Sequence, residues 1–319
     1  MELTWAIRLR IALVSAVGAA LIGVYYWPKV APVDPFGVVS VVSGTINYRD
    51  VIVLLGMAFG IGLVSYFLSW PYGSRIGILA VPAGLAVWAV RGGDMGTLMQ
   101  LNTSVERREQ LFAMMSWEPL LWLAIIGAGF LGVFVGWGLI RPAKAVRLRS
   151  PQAAEAEKPK NPAEQAAGKF KPGDYISVIA AIVGSAVVAQ FFIGIFARDF
   201  AILDPTYGVA VSQPATAQVV FAVLVAFGIV GFLVKKVLNL NYLWPVTASG
   251  LITVIATRTY GKEEVLAYFA GRWPAVFFSS PVLAVLPIQV VVFGTIGSVA
   301  GYWLAVSYDY RRHNEVKEG

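Results

Sequence analysis

The sequence reads GFLGVFVGW at residues 129–137 and GTIGSVAGY at residues 294–302, with glycine at the first, fourth and eighth positions of both stretches. Residues three and four apart lie on one face of a helix, so each stretch predicts a helix with a stripe of small residues. Such a stripe lets another helix backbone approach closely in lipid. We therefore expect helix packing by six glycines, most simply stripe against stripe: Gly129, Gly132, Gly136, Gly294, Gly297 and Gly301.

These two stretches belong to a longer duplication of apolar runs. The first half contains runs at 11–26, 51–70, 76–90 and 119–140, and the second at 175–196, 216–234, 242–256 and 289–307. The offset between the two sets is about 166 residues, a period typical of an internal repeat. Ala58-Phe59-Gly60-Ile61 also reappears as Ala226-Phe227-Gly228-Ile229. The pattern predicts two four-helix repeats.

The composition places the chain in a membrane. Of 319 residues, 58% are hydrophobic and 13% are charged, and the mean hydropathy is +0.70. Soluble domains are about 45–50% apolar. A helical crossing needs roughly 20 apolar residues, and most of the runs reach that length. No run alternates apolar and polar residues as a membrane β-strand does. The prediction is an all-α integral membrane protein with about eight transmembrane helices and lipid as its main partner.

The basic residues predict the orientation. Sixteen of the 25 lysines and arginines fall on the side that holds both termini and the segment between the halves. The positive-inside rule places that side in the cytoplasm, so the repeats run parallel in a cytoplasmic (inner) membrane. The predicted divisions are a first repeat, a flexible proline-rich linker, a second repeat and a charged tail: 1–140, 141–174, 175–308 and 309–319.

Several kinds of site are excluded or disfavoured. The chain has no cysteine, and its one histidine, His313, lies in the charged tail, so neither a metal nor a haem is expected. The basic residues are spread over loops rather than interleaved with aromatic residues on one surface, which disfavours a nucleic-acid partner. No nucleotide-binding or hydrolase motif occurs in a fitting context. We expect no cofactor and no catalytic residue.

The apolar runs contain amides and hydroxyls but no charged side chain. Gln190 and Gln289 are amides within these runs, and the proposed topology puts both toward the outer leaflet. Arg91 and Arg258 follow the third and seventh runs at nearly equivalent positions. These four residues are the candidate substrate-binding set, although interhelical hydrogen bonds and snorkelling are the plainer interpretations. The two longest outer loops predict short amphipathic helices after Ser104 and Lys262.

Two functions fit this pattern. The duplication, the proline-interrupted runs and the more polar second half favour a small-solute transporter or channel-like permease without an intramembrane ionisable relay. The alternative is a non-catalytic scaffold, an assembly subunit that binds membrane protein partners or a second copy of itself. It accounts better for the missing charges. An enzyme is not expected, since the only candidate catalytic groups are the loop acids Asp94, Glu118 and Glu264.

Overall fold

The computed structural model describes residues 4–33, 37–147, 172–272 and 277–318, and the following statements concern those residues. Seven helices there are long and apolar enough to cross a membrane. The prediction of an all-α, multi-pass membrane protein in a lipid environment is therefore confirmed at this level.

The N-terminal half contains four candidate membrane spans with short helices between them. Its helices are α1 Trp5–Gly18, α2 Trp27–Val30, α3 Tyr48–Leu68, α4 Gly73–Ile76, α5 Ala80–Arg91, α6 Met95–Leu101, α7 Val105–Met115 and α8 Glu118–Arg147. A π-helical segment, Ala19–Tyr25, continues α1, and a 3₁₀ turn, Gly77–Leu79, joins α4 to α5. The candidate spans are accordingly Trp5–Tyr25, Tyr48–Leu68, Gly73–Arg91 and the apolar part of α8.

The C-terminal half contains four long helices and a small sheet. Its elements are α9 Pro172–Phe196, β1 Ala201–Asp204, β2 Gly208–Ser212, α10 Thr216–Leu238, α11 Leu243–Tyr260, α12 Glu263–Arg272, β3 Phe277–Phe278, a 3₁₀ turn Pro281–Ala284 and α13 Pro287–Glu318. The strands form one antiparallel sheet in the order β1-β2-β3. The predicted amphipathic loop helices are α7 and α12, and the Ser104 side chain caps α7.

The seventh apolar run forms α11, which is not among the seven candidate spans. Hydroxyl residues lower its hydropathy: Thr247, Ser249, Thr253 and Thr257. The helix α11 nevertheless packs against α13. The Tyr242 ring is 5.4 Å from that of Tyr302 just before α11 begins, and Ser249 lies against Gly294. The helix α11 therefore runs antiparallel to α13.

The linker predicted at 141–174 falls largely outside the described residues, because 148–171 are not described. The helix α8 continues into its first part, as far as Arg147, and α9 begins within its last part, at Pro172. The last helix likewise extends through most of the predicted tail. The C-terminal end of α8 and the N-terminal end of α9 therefore lie inside the segment 141–174 that the sequence assigned to the linker.

The glycine stripes contact a different partner from the one expected. A Cβ placed on Gly132 would lie 2.1 Å from the Phe59 carbonyl oxygen, and one on Gly297 would lie 2.5 Å from that of Leu224. Each stripe thus packs on the second long helix of its own half rather than on the other stripe. Glycine on that helix also takes part, since Gly62 meets the Gly129 backbone. The prediction that the two stripes pack against each other is therefore wrong.

The two glycine contacts are related by one constant offset. Gly132 meets the backbone of Phe59 and Leu63, whereas Gly297 meets that of Leu224 and Gly228. Each residue of the second set follows its counterpart by 165 positions. The match of residues 58–61 with 226–229 uses an offset of 168, so it aligns residues about one helical turn apart in this contact. The helix pairs α3–α8 and α10–α13 nonetheless share one packing geometry.

The directions of α8 and α13 follow from their common neighbour α11. At one level Tyr242 touches the rings of Phe130 and Tyr302, and eight residues later Gly250 lies against Leu123. Ser249, beside Gly250, meets Gly294. Both α8 and α13 therefore run opposite to α11 and parallel to each other.

The segments that follow α1, α5, α9 and α11 gather at one end of the bundle, and we call their described residues the cap: 26–33, 37–47, 92–117, 197–215, 261–272 and 277–286. The long helices α5 and α13 lie at the centre. Their candidate spans are 67% and 61% buried, whereas those of α1 and α9 are each 28% buried. The helices α1 and α9 are thus peripheral and face lipid.

The close approach of α8 to α3 predicts an asymmetric response to two glycine substitutions on the same helix. We expect Gly132→Ala to lower the free energy of unfolding by about 1–3 kcal/mol, because its methyl group would overlap the Phe59 carbonyl. Gly127→Ala is the control, since a Cβ there meets no atom within 4 Å. Denaturation of the purified protein with SDS measures both. Equal stabilities of the two variants would contradict the packing described.

Candidate functional site at the cap junction

Gln289 links the two halves at the cap end of the bundle. It is 1% exposed, lies in the first turn of α13, and accepts a hydrogen bond from the Leu286 N–H at 3.0 Å. Its amide nitrogen donates to the Ala89 carbonyl at 3.1 Å. Ala89 is in the last turn of α5, where carbonyls lack a partner within the helix. Gln289 therefore supplies hydrogen-bond partners both to a carbonyl at the C-terminal end of α5 and to an N–H at the start of α13.

A second glutamine, Gln213, makes an analogous link that the sequence analysis missed. Its side-chain oxygen accepts from the Gly96 N–H at 2.8 Å, and its nitrogen donates to the Ala284 and Pro214 carbonyls, each at 3.1 Å. Gly96 lies in the first turn of α6, where amide groups also lack helical partners. The sequence signal was weak, because Gln213 is a loop residue without a periodic pattern around it.

Glu118 is a buried carboxylate at the first residue of α8. It accepts hydrogen bonds from Ser40 Oγ at 2.7 Å, from the Trp122 indole at 3.1 Å and from the Val41 N–H at 3.3 Å. A helix N-terminus favours negative charge, which offsets part of the cost of burial. Glu118 thereby fastens the loop after α2 to the start of α8, and its oxygens are engaged in that contact.

The other two loop acids have separate surroundings. Asp94 caps α6 by accepting from the Thr97 N–H at 2.7 Å and from its hydroxyl at 2.9 Å. Glu264 is exposed in the first turn of α12. Within the described ranges, no group of three or more metal-binding side chains is found. The three acids suggested for an enzyme therefore do not form one centre in the part of the chain described.

Tyr26 joins the end of the first span to the start of α3. Its hydroxyl donates to Asp50 at 3.0 Å, and its ring lies 6.2 Å from that of Trp88, which is fully buried. Burial, together with the hydrogen bond and charge of Asp50, raises the pKa of Tyr26 to about 12. The phenol therefore remains a hydrogen-bond donor at neutral pH, and this contact holds α1 and α3 together.

The four candidate substrate-binding residues have different environments. Arg91 is exposed and lies over the Trp27 ring at 4.7 Å, a cation–π contact at the rim of the cap. Arg258 is exposed near the end of α11. Gln190 is half-buried on α9 and has no hydrogen-bond partner among the described residues, whereas Gln289 is buried and both its oxygen and its nitrogen are hydrogen-bonded. No contact in the described chain joins these four residues, so the substrate site remains a prediction.

Comparison with known proteins gives no further assignment: no match was found to a protein-family model, a curated protein or a solved structure. Interpretation of the junction therefore rests on its own geometry. That geometry consists of amide and carboxylate groups hydrogen-bonded at helix ends, a pattern suited to holding segments in place.

The two membrane glutamines should respond differently to leucine substitution. Gln289→Leu leaves the Ala89 carbonyl and the Leu286 N–H unpaired in a buried setting, so we expect about 1–3 kcal/mol of destabilisation per unpaired group. Gln190→Leu serves as the matched control and should change the free energy of unfolding by less than about 0.5 kcal/mol. SDS denaturation of the purified variants compares them. A Gln289→Leu variant as stable as the wild type would refute the linking role.

Proposed function

We propose that this protein is a membrane-embedded assembly subunit, a non-catalytic scaffold, rather than a small-solute permease. The observation that carries the proposal is the pair of buried or half-buried glutamine links between the halves, each made through both the oxygen and the nitrogen of the amide. A permease that works by rocking one half against the other must open a path on each side in turn. Gln213 and Gln289 fasten the halves on the cap side, and the oxygen and the nitrogen of each amide group are engaged in contacts within the protein.

The packing at the centre supports the same proposal. The helices α5 and α13 contact each other there, and Leu85, Trp88 and Val292 are each fully buried. A solute path between the halves would have to pass large apolar side chains at close-packed density. A fixed apolar centre suits a subunit that positions partners. We also propose that the protein is not an enzyme, since Asp94 and Glu118 are engaged in caps and loop contacts.

For the architecture, we propose eight crossings arranged as two parallel four-helix repeats, with both termini in the cytoplasm of an inner membrane. The parallel course of α8 and α13 and the common offset of the glycine contacts support the duplication. The antiparallel course of α11 beside α13 supports its assignment as the eighth crossing. The excess of basic residues on the side opposite the cap supports the orientation.

A partner surface is suggested by the hairpin of β1 and β2. Leu203 on β1 is 86% exposed, although the turn that follows it is firmly held. Asp204 accepts from the backbone N–H groups of Thr206 and Tyr207 and from the Tyr268 hydroxyl of α12. A rigid turn that presents a large apolar side chain loses little conformational entropy on binding. We propose this hairpin as the contact for an extracytoplasmic part of a partner.

The assembly function predicts a defined complex in native membranes. On blue-native gels after mild detergent extraction, we expect the chain to migrate well above its 34.4 kDa. Leu203→Ser should shift it to the mass of the isolated chain, because the docking side chain is removed. Ile179→Ser changes a lipid-facing residue of α9 that is 62% exposed and should leave the complex intact.

The opposite result would favour the permease. A wild-type chain that migrates alone, and that conducts a solute in proteoliposomes with flux lost in Gln190→Leu, would contradict the assembly function. Flux measurements need a folded variant, and the denaturation comparison above supplies that control.

A further inference from the structure

A groove lies between α9 and α10 in the half of the bundle away from the cap. Its volume is about 300 Å³, at the lower end of the range of roughly 300–1,000 Å³ typical of small-molecule sites. Residues 180–188 of α9 and 230–238 of α10 line it. Ala180 and Gly184 leave room on the α9 side, while valine and leucine form the α10 side. The groove is open to the surface that faces lipid.

One polar side chain lines this apolar groove. Ser185 is 2% exposed, and its hydroxyl has no hydrogen-bond partner in the part of the chain that the structure describes. Some hydroxyls on other long helices donate to carbonyls of the preceding turn, as Thr295 does to Val291 and Ser249 to Val246. Ser65, Thr253 and Ser298 also have no partner among the described residues, but Ser185 is the one of these hydroxyl residues that lines the groove. A buried donor left without an acceptor is costly in hydrocarbon. Ser185 therefore marks the place where a bound oxygen would be stabilised.

The depth of Ser185 restricts the identity of that oxygen. Ser185 follows Tyr175, the first residue of its span, by ten residues, or about 15 Å along a helix. The hydrocarbon core is about 30 Å thick, so the hydroxyl lies near the midplane. Phospholipid head groups and ester carbonyls stay at the interface and do not reach this depth. The fitting ligand is an uncharged, lipid-soluble molecule that carries a carbonyl oxygen into the core.

The length of the groove favours a small occupant over a helix. A membrane-crossing helix of about 20 residues is about 30 Å long, so most of it would lie beyond the groove. A ring with the start of an apolar chain is the better match for a groove about 12 Å long, the rise over residues 180–188.

We propose that the groove binds a lipid of the prenylquinone class, with a ring carbonyl accepting a hydrogen bond from Ser185 and the chain lying along Gly184 and Ala180. No electron transfer is part of this site. The proposal is independent of the assembly function, since the groove lies on the lipid side of the peripheral helix α9 and away from the cap.

The test uses the full chain in nanodiscs with a diazirine-bearing prenylquinone, and mass spectrometry of the labelled peptides. We expect labelling of α9 and α10 that excess unlabelled quinone removes. Gly184→Leu should reduce it at least tenfold by filling the groove, because a Cβ there meets no atom within 4 Å and the helix can carry it. Gly194→Leu on the same helix is equally unhindered, lies outside the groove and should leave labelling unchanged.

Ser185→Ala keeps the shape of the groove and removes the donor, so labelling should fall roughly three- to tenfold, the value of one neutral hydrogen bond. Three results would overturn the proposal. One is labelling that neither variant changes. Another is a diazirine phosphatidylcholine that labels the groove equally and is not displaced by quinone. The third is a Gly184→Leu variant whose particle mass drops by one chain, which would identify the groove as a self-association surface.

Discussion

Close approach of helix backbones at glycine is the constraint on which the bundle depends. Lipid tails are as apolar as leucine, so helices in a bilayer gain little by hiding apolar side chains from one another. What remains is dispersion between well-fitted surfaces, and this increases when backbones touch. Gly132 against Phe59 and Gly297 against Leu224 provide that fit in the two halves. The paired helices α3–α8 and α10–α13 are therefore the rigid units to which the other helices attach.

Polar contacts at helix ends then fix how the units meet. The last carbonyls and first amides of helices have no partner within the helix. In this protein Gln289 and Gln213 supply partners from the opposite half, and Glu118 supplies one for a loop of its own half. Removing one of these hydrogen bonds would cost more free energy than the bond's net contribution to stability, because its former partner would be left buried and unpaired. These hydrogen bonds in the cap therefore hold the two halves of the bundle together.

Seven of the eight apolar runs predicted from the sequence correspond to candidate spans, because long apolar runs depend only on composition. The sequence did not predict the partners of the glycine stripes, because a stripe identifies the small face of a helix but not the helix that faces it. The sequence match of residues 58–61 with 226–229 differs by about one helical turn from the alignment that the glycine contacts give. The cause is similar, since residues three and four apart occupy the same face of a helix. Gln289 was found as a buried amide, but its role depends on Ala89, which is 200 residues away in the chain. Gln213 had no periodic pattern that could reveal it.

The two halves differ in how their first long helices pack, and the groove lies beside the first long helix of the second half. Gly18 and Gly84 let α1 press directly on α5, with the two backbones in contact. The helix α9 has no such glycine pair among its described contacts and rests against both α10 and α11. Small residues such as Ala180 and Gly184 then face a gap instead of another backbone. The groove between α9 and α10 therefore lies in the half whose first long helix lacks a tight backbone contact at glycine.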